Sequence, residues 1–173
     1  KIVEELFPVG HPAFVNTEKW FSELYDKISS EPSMTFNFEY DQIVPYGELI
    51  STAIVNEYLN FVDVKSQWVD VRKVLKTDEN YREADVDFEL SARLAKETFK
   101  FGKVQKYLTQ GFIGSTKNNL TTTLGREGSD YTAALIASFL KAELVTVWKD
   151  VPGVLNADPK WFDNTVKLDK LTY

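Results

Sequence analysis

The sequence has no cysteine. Disulfides, thiolate nucleophiles and cysteine-ligated zinc are therefore excluded. It has one histidine, His11, set in a Gly-His-Pro stretch that reads as a loop. A histidine-cluster metal site is excluded with it, and serine- or cysteine-protease chemistry on a histidine base is disfavoured. No apolar run approaches the roughly 20 residues that span a membrane. The opening Lys1-Ile2-Val3-Glu4-Glu5 is not a signal peptide. Lys and Arg number 20 against 26 Asp and Glu, a net charge of −6, so a general nucleic-acid binder with a basic face is not expected. A nucleotide site, which needs only a few local donors and cations, stays open. Neither Gly-x-x-x-x-Gly-Lys-Ser/Thr nor Gly-x-Gly-x-x-Gly occurs, so a P-loop or dinucleotide fingerprint is unsupported.

What is present suits one ordinary globular domain. The chain has 173 residues, 43% hydrophobic and 14% aromatic, enough to build a core. Helical spacing of Trp20, Phe21, Leu24, Tyr25 and Ile28 predicts a helix over 17–29. A second is expected over 41–60, disturbed early by Pro45 and Gly47. Gln67 to Val71 reads as a strand, Lys76 to Asp85 as an exposed loop, and 87–100 as a helix. Val104 to Ile113 reads as a strand running into glycines, and Leu120 to Leu124 as β-prone. A strong helix is expected over 129–141, then a strand at Glu143 to Trp148, then a Pro/Gly/Asn/Asp-rich loop. This alternation predicts an α/β layered domain with a largely parallel sheet.

Ligands of open α/β sheets bind beyond the carboxyl ends of strands, and four segments put unusual residues there. Thr109-Gln110-Gly111-Phe112-Ile113-Gly114-Ser115 lets a ligand approach backbone N–H groups, or simply turns the chain. Thr121-Thr122-Thr123-Leu124-Gly125-Arg126-Glu127-Gly128-Ser129-Asp130 opens into a helix, whose first amides attract anions. Arg126 could fork onto a carboxylate there. In the purely structural reading Ser129 or Asp130 caps the helix. Lys149, Asp150 and Lys160 lie in a strand-to-loop segment, where the lysines could face phosphates and Asp150 a ligand or hydrated magnesium, or all could be ordinary surface charges. Pro45-Tyr46-Gly47-Glu48 gives a close approach and a carboxylate for an ammonium group, or a solvated helix residue.

Taken in order, these segments resemble the aspartate kinases of the amino-acid kinase family, from about Gln42 to Tyr173. The most specific stretch runs from Thr109 through Thr121–Ala134 and Trp148-Lys149-Asp150-Val151-Pro152-Gly153-Val154 to Ala157-Asp158-Pro159. The resemblance implies a three-layer α/β/α sandwich, incomplete here. It also implies transfer of the γ-phosphoryl group of ATP, with Mg2+ carried by the nucleotide, to the β-carboxylate of L-aspartate. Asp130 then matches the catalytic aspartate that organises lysine and phosphoryl group. Arg126, Gly128, Ser129 and Glu48 match substrate-binding positions, and Lys149, Asp150, Leu155 and Lys160 positions around the nucleotide. No metal ligand set is implied. A cytoplasmic location and a homodimer are further implications.

The chain departs from the family in three places. The usual Lys-Phe-Gly-Gly-Thr-Ser opening has no counterpart, nor do the C-terminal ACT domains. Residues 1–173 are thus expected to be the central part of the catalytic domain, truncated at both ends and inactive alone. Glu127 replaces the glycine most common at its position, and must point away from an anionic substrate. Two other readings stay open: a kinase of this fold acting on another acid such as glutamate, and a non-catalytic binding or dimerisation module using the aromatic helix at 17–29.

Overall fold

The computed structural model describes residues 1–32, 35–149 and 153–171. Its helices are α1 (Ile2–Leu6), α2 (Ala13–Ser29), α3 (Phe36–Ile43), α4 (Tyr46–Phe61), α5 (Phe88–Thr98) and α6 (Gly128–Leu140). Its strands are β1 (Gln67–Val69), β2 (Tyr107–Thr109), β3 (Ile113–Ser115) and β4 (Thr121–Thr123).

The helix expected over 41–60 is two helices. Proline has no N–H to continue the ladder and fixes its own φ. Pro45 accordingly stands at the N-cap of α4, just after α3 has ended at Ile43. This break frees α3 to turn its Asp41 side chain inward. Asp41 is fully buried and accepts from the backbone N–H groups of Arg82 and Thr123 (both 2.9 Å) and the Thr123 hydroxyl (2.8 Å). Burial raises its pKa, and those donors oppose the rise.

The strands form a mixed arrangement, not the largely parallel sheet expected. β1 and β2 pair in parallel, with Trp68 opposite Leu108. β3 and β4 pair antiparallel, with Gly114 opposite Thr122. The expected strand over 104–113 is shortened to β2, because the chain turns at Gln110–Phe112 before β3 begins. Helix α4 packs on β1 and β2, while α6 packs on β3 and α5. Leu49, Val71, Val74, Leu75, Ala95, Ile113, Leu135 and Phe139 form the core between them.

Glu143 to Trp148 is not a strand. The segment is exposed throughout, with Trp148 at 90%, and joins no strand among the described residues. β-propensity measures fit against neighbouring strands and buried faces. Lys141 ends α6 in the left-handed conformation (φ 54°), and the apolar residues after it stay unpaired.

One buried amide ties the layers together. Gln110 accepts from the Val71 N–H at 2.9 Å and donates to the Thr52 hydroxyl at 2.8 Å. Thr52 in turn donates to the Glu48 carbonyl at 2.7 Å and accepts from the Trp68 indole at 3.1 Å. Gln110→Ala leaves a buried N–H without its acceptor and opens a void. It is expected to cost about 2–4 kcal/mol in urea unfolding.

Candidate functional site

Two loops are pressed together at the start of α6. A Cβ on Gly111 would lie 2.8 Å from Ser129 Cα and 2.9 Å from Ser129 Cβ. One on Gly128 would lie 2.8 Å from Phe112 Cδ2 and 3.1 Å from Phe112 Cα. Only glycine permits either approach. Around them, the Leu124 N–H donates to the Phe112 carbonyl (2.8 Å) and the Phe112 N–H to the Thr132 hydroxyl (3.1 Å). Thr132 passes its own proton to the Gly128 carbonyl at 2.8 Å. Phe112 itself is left-handed, at φ 71°, which is unusual for a bulky residue.

This clamp leaves the helix start open. The N-cap of α6 is Glu127, at φ 57°, and it makes no side-chain cap. Neither Ser129 nor Asp130 caps the helix, contrary to the structural reading of the sequence. Among the described residues, the N–H groups of Ser129 and Asp130 have no protein acceptor. Orphan amides at a helix start, with the positive end of the macrodipole, are an anion-binding arrangement.

Charged side chains surround these amides. Lys149 Nζ is 2.7 Å from Asp130 Oδ2 and 3.7 Å from Glu127 Oε2. The hydrogen bond to Asp130 is the chief cause that raises the Lys149 pKa, so it stays cationic at neutral pH. Arg126 Nε lies 3.9 Å from Glu127 Oε1, with its side chain 95% exposed. An exposed contact of that length holds it only weakly, leaving the guanidinium available to a ligand.

Glu48 lies in the first turn of α4. Its backbone connects through Thr52 to Gln110, the residue before Gly111, so the start of α4 is joined to the same loop that touches Ser129. Its carboxylate has no hydrogen-bond or ion-pair partner among the described residues, and burial raises its pKa. A half-buried carboxylate without a counter-charge is suited to receive a cation.

The structure thus brings Arg126, Gly128, Ser129, Asp130 and Lys149 together, while Glu48 is linked to the neighbouring 109–115 loop only through its backbone, by way of Thr52 and Gln110. It does not tie in Leu155 and Lys160. These sit in a turn closed on itself by the Asn156 N–H to the Val166 carbonyl (3.0 Å) and the Leu168 N–H to the Val154 carbonyl (2.8 Å). No hydrogen bond or ion pair among the described residues links this turn to the body. Leu155 lines a cavity of about 730 Å³ there with Gly153, Ala157, Pro159, Thr165 and Lys167, while Lys160 is exposed. Asp150 lies outside the described residues. The sequence reading missed the Lys149–Asp130 ion pair. Nothing in a spacing of nineteen positions signals it. It also missed the left-handed Phe112, for which only the flanking glycines gave a hint.

A mixed α/β domain with an uncapped helix start flanked by Arg, Lys and two carboxylates has the arrangement of a small-anion site. Comparison with known proteins makes this specific. The pattern of the amino acid kinase family matches residues 9–173, and the chain belongs to that family, as its resemblance implied. Over 150 residues it is 41% identical to lysine-sensitive aspartokinase 3 of Escherichia coli, covering 84% of this chain and 32% of that protein. It is 36% identical to a chloroplastic bifunctional aspartokinase/homoserine dehydrogenase 1 of Zea mays, covering 77% and 15%. The crystal structure of E. coli aspartokinase III in complex with aspartate and ADP, in its R-state, superimposes with a TM-score of 0.87 at 36% identity. That match covers 96% of this chain and 37% of the other. The fold is the amino-acid kinase fold, and the chain spans about a third of the length of the aspartokinase it matches.

Proposed function

We propose that this chain carries the aspartate-gripping part, and part of the nucleotide site, of an enzyme that phosphorylates the β-carboxylate of L-aspartate with ATP. The observation that carries the reading is the uncapped start of α6 beside an exposed, weakly held guanidinium. Ser129 and Asp130 offer two amides, and Arg126 a planar fork that matches a carboxylate. Gly128 keeps the backbone close. Glu48, with no counter-charge of its own, takes the substrate ammonium. The relatives named above, and an aspartokinase solved with aspartate and ADP, support the same substrate.

The reaction asks for positioning and charge neutralisation more than for proton transfer. The acceptor carboxylate is already ionised at neutral pH. One of its oxygens forms the new bond to the γ-phosphorus, and the bond from that phosphorus to the bridging oxygen breaks, releasing ADP. No proton need move, so the scarcity of histidine and cysteine is no obstacle. Lys149 offers a cation to the phosphates, and Asp130 holds that cation in place. Leu155 contributes apolar wall, and its cavity lies within the size range of small-ligand sites. Lys160 and Asp150 remain further candidates around the nucleotide. In this reading the magnesium ion is carried by the nucleotide, where it neutralises charge on the phosphates. No helix of the described residues is long and apolar enough to cross a membrane. A cytoplasmic location is proposed separately, from the aspartate kinase resemblance alone. The exposed Phe21, Tyr25 and Ile28 of α2 are where a homodimer would form.

The product is an acyl phosphate, which hydroxylamine converts to a hydroxamate. Incubation of the protein containing this chain with ATP, magnesium, hydroxylamine and L-aspartate is expected to yield aspartyl hydroxamate. A hydroxamate from L-glutamate in its place would assign the other acid, and none from either would reject the reading.

Glu48 gives the site a pH dependence of defined sign. Its folded pKa is raised, so the folded chain favours the protonated form. Its contribution to stability is present below the ordinary carboxylate value and is lost as pH rises through the raised one. The ionised form is the one that takes an ammonium. L-Aspartate affinity is therefore expected to rise with pH through that range and then level off, with proton release on binding. Glu48→Gln should abolish this pH dependence, weaken binding about tenfold or more, and leave the ligand-free chain at least as stable at neutral pH. Titration calorimetry over a pH series, in two buffers of different ionisation enthalpy, reads the first two, and a thermal melt of the ligand-free chain reads the third.

A further inference from the structure

Glu127 holds a costly left-handed backbone at this site, as Phe112 does, but unlike Phe112 it packs no core that would explain it. A left-handed backbone is free for glycine and unfavourable by about 1 kcal/mol for a residue with a Cβ. From that conformation its carboxylate cannot cap the helix it precedes, and it does not. It contacts both cations of the site instead, at 3.9 Å from Arg126 and 3.7 Å from Lys149. Asp130 holds the same lysine at 2.7 Å. Two positive and two negative side chains thus leave the cluster with no net charge to draw an anion in.

We infer that Glu127 is a specificity-determining residue: a resident carboxylate on the Arg126–Lys149 pair that penalises incoming ligands by their net negative charge. An incoming carboxylate must displace it or sit beside it. An amino acid that brings its own ammonium group, such as L-aspartate with a net charge of −1, bears less of this repulsion than a plain dicarboxylate such as succinate, at −2. The inference rests on the proposed reading only in taking the ligand as a small carboxylate.

The test compares the unaltered chain with Glu127→Gln and Glu127→Gly, titrated separately with L-aspartate, succinate and inorganic phosphate by amide-shift NMR. Gln keeps the strained backbone and removes only the charge. Glu127→Gln is expected to tighten L-aspartate about threefold and succinate and phosphate about fivefold or more, at an unchanged melting temperature. In a Lys149→Met background the gain should shrink, because one of the two cations that Glu127 engages is gone. A role confined to the backbone would change affinity in Glu127→Gly and not in Glu127→Gln, and that pattern overturns the inference. So does unchanged, weaker or undetectable binding of succinate and phosphate by Glu127→Gln. If both anions tighten while L-aspartate binds to no form, the role of Glu127 stands and the aspartate reading falls.

Discussion

Replacing Arg126 with alanine is expected to weaken L-aspartate binding by about 100-fold or more while leaving the melting temperature unchanged. The two halves of that expectation come from one fact. The Arg126 side chain is 95% exposed, and its one ion pair among the described residues is a 3.9 Å contact with the neighbouring residue. Little of the fold depends on it, and substitutions at such positions usually stay within about 0.5 kcal/mol. A guanidinium that forks onto a carboxylate supplies two charge-assisted hydrogen bonds, each worth about 1.5–3 kcal/mol. Arg126→Lys keeps the charge and loses the fork, so it should recover only part of the loss. Calorimetric titration with parallel thermal melts measures both quantities. Equal affinity in Arg126→Ala would remove Arg126 from the site.

Gly111→Ala is expected to damage the site and the fold together. The added Cβ meets Ser129 Cα and Cβ at 2.8 and 2.9 Å. These atoms belong to backbone and to the root of a side chain, so no rotamer change relieves the clash. Either the 109–115 loop or the start of α6 must move by several tenths of an ångström. Overpacking of this kind costs about 1–3 kcal/mol, and a displacement of that order at a positioning site can cost about tenfold to 100-fold in binding or rate. Gly47→Ala is the matched control. Its Cβ meets nothing within 4 Å and lies inside α4, so it should stabilise the chain by about 0.5–1 kcal/mol. Chemical unfolding and aspartate titration of the two variants separate the steric effect from any general intolerance of alanine.

The parts of the fold that were legible in the sequence are those set by local pattern. The helices expected over 87–100 and 129–141 became α5 and α6 within a residue or two. Pro45 was visible as a disturbance within one helix over 41–60, and not as the boundary between two helices that it is. Glu143 to Trp148 shows the opposite failure. Its alternating valines carry strand propensity, but a strand exists only with a neighbour, and neighbours are not written in a segment's own residues. The candidate site divides in the same way. Ser129 and Asp130 stood out because a helix start collects such residues, and Arg126 because capping does not account for it. The missing cap did not, because it follows from the left-handed turn at Glu127, which is set by Gly128 packing against Phe112. The Lys149–Asp130 ion pair needed three-dimensional folding to appear at all.

The most direct test of the account is a map of where L-aspartate touches the chain. Amide-shift NMR detects even weak binding and reports it residue by residue. Titration with L-aspartate should move the amide signals of Gly128, Ser129 and Asp130 to a saturating limit, with a smaller response at Glu48. L-Glutamate should move them less at the same concentration. Saturable shifts centred elsewhere, or no shifts at the start of α6, would contradict the central claim that this uncapped helix start and Arg126 are the aspartate grip.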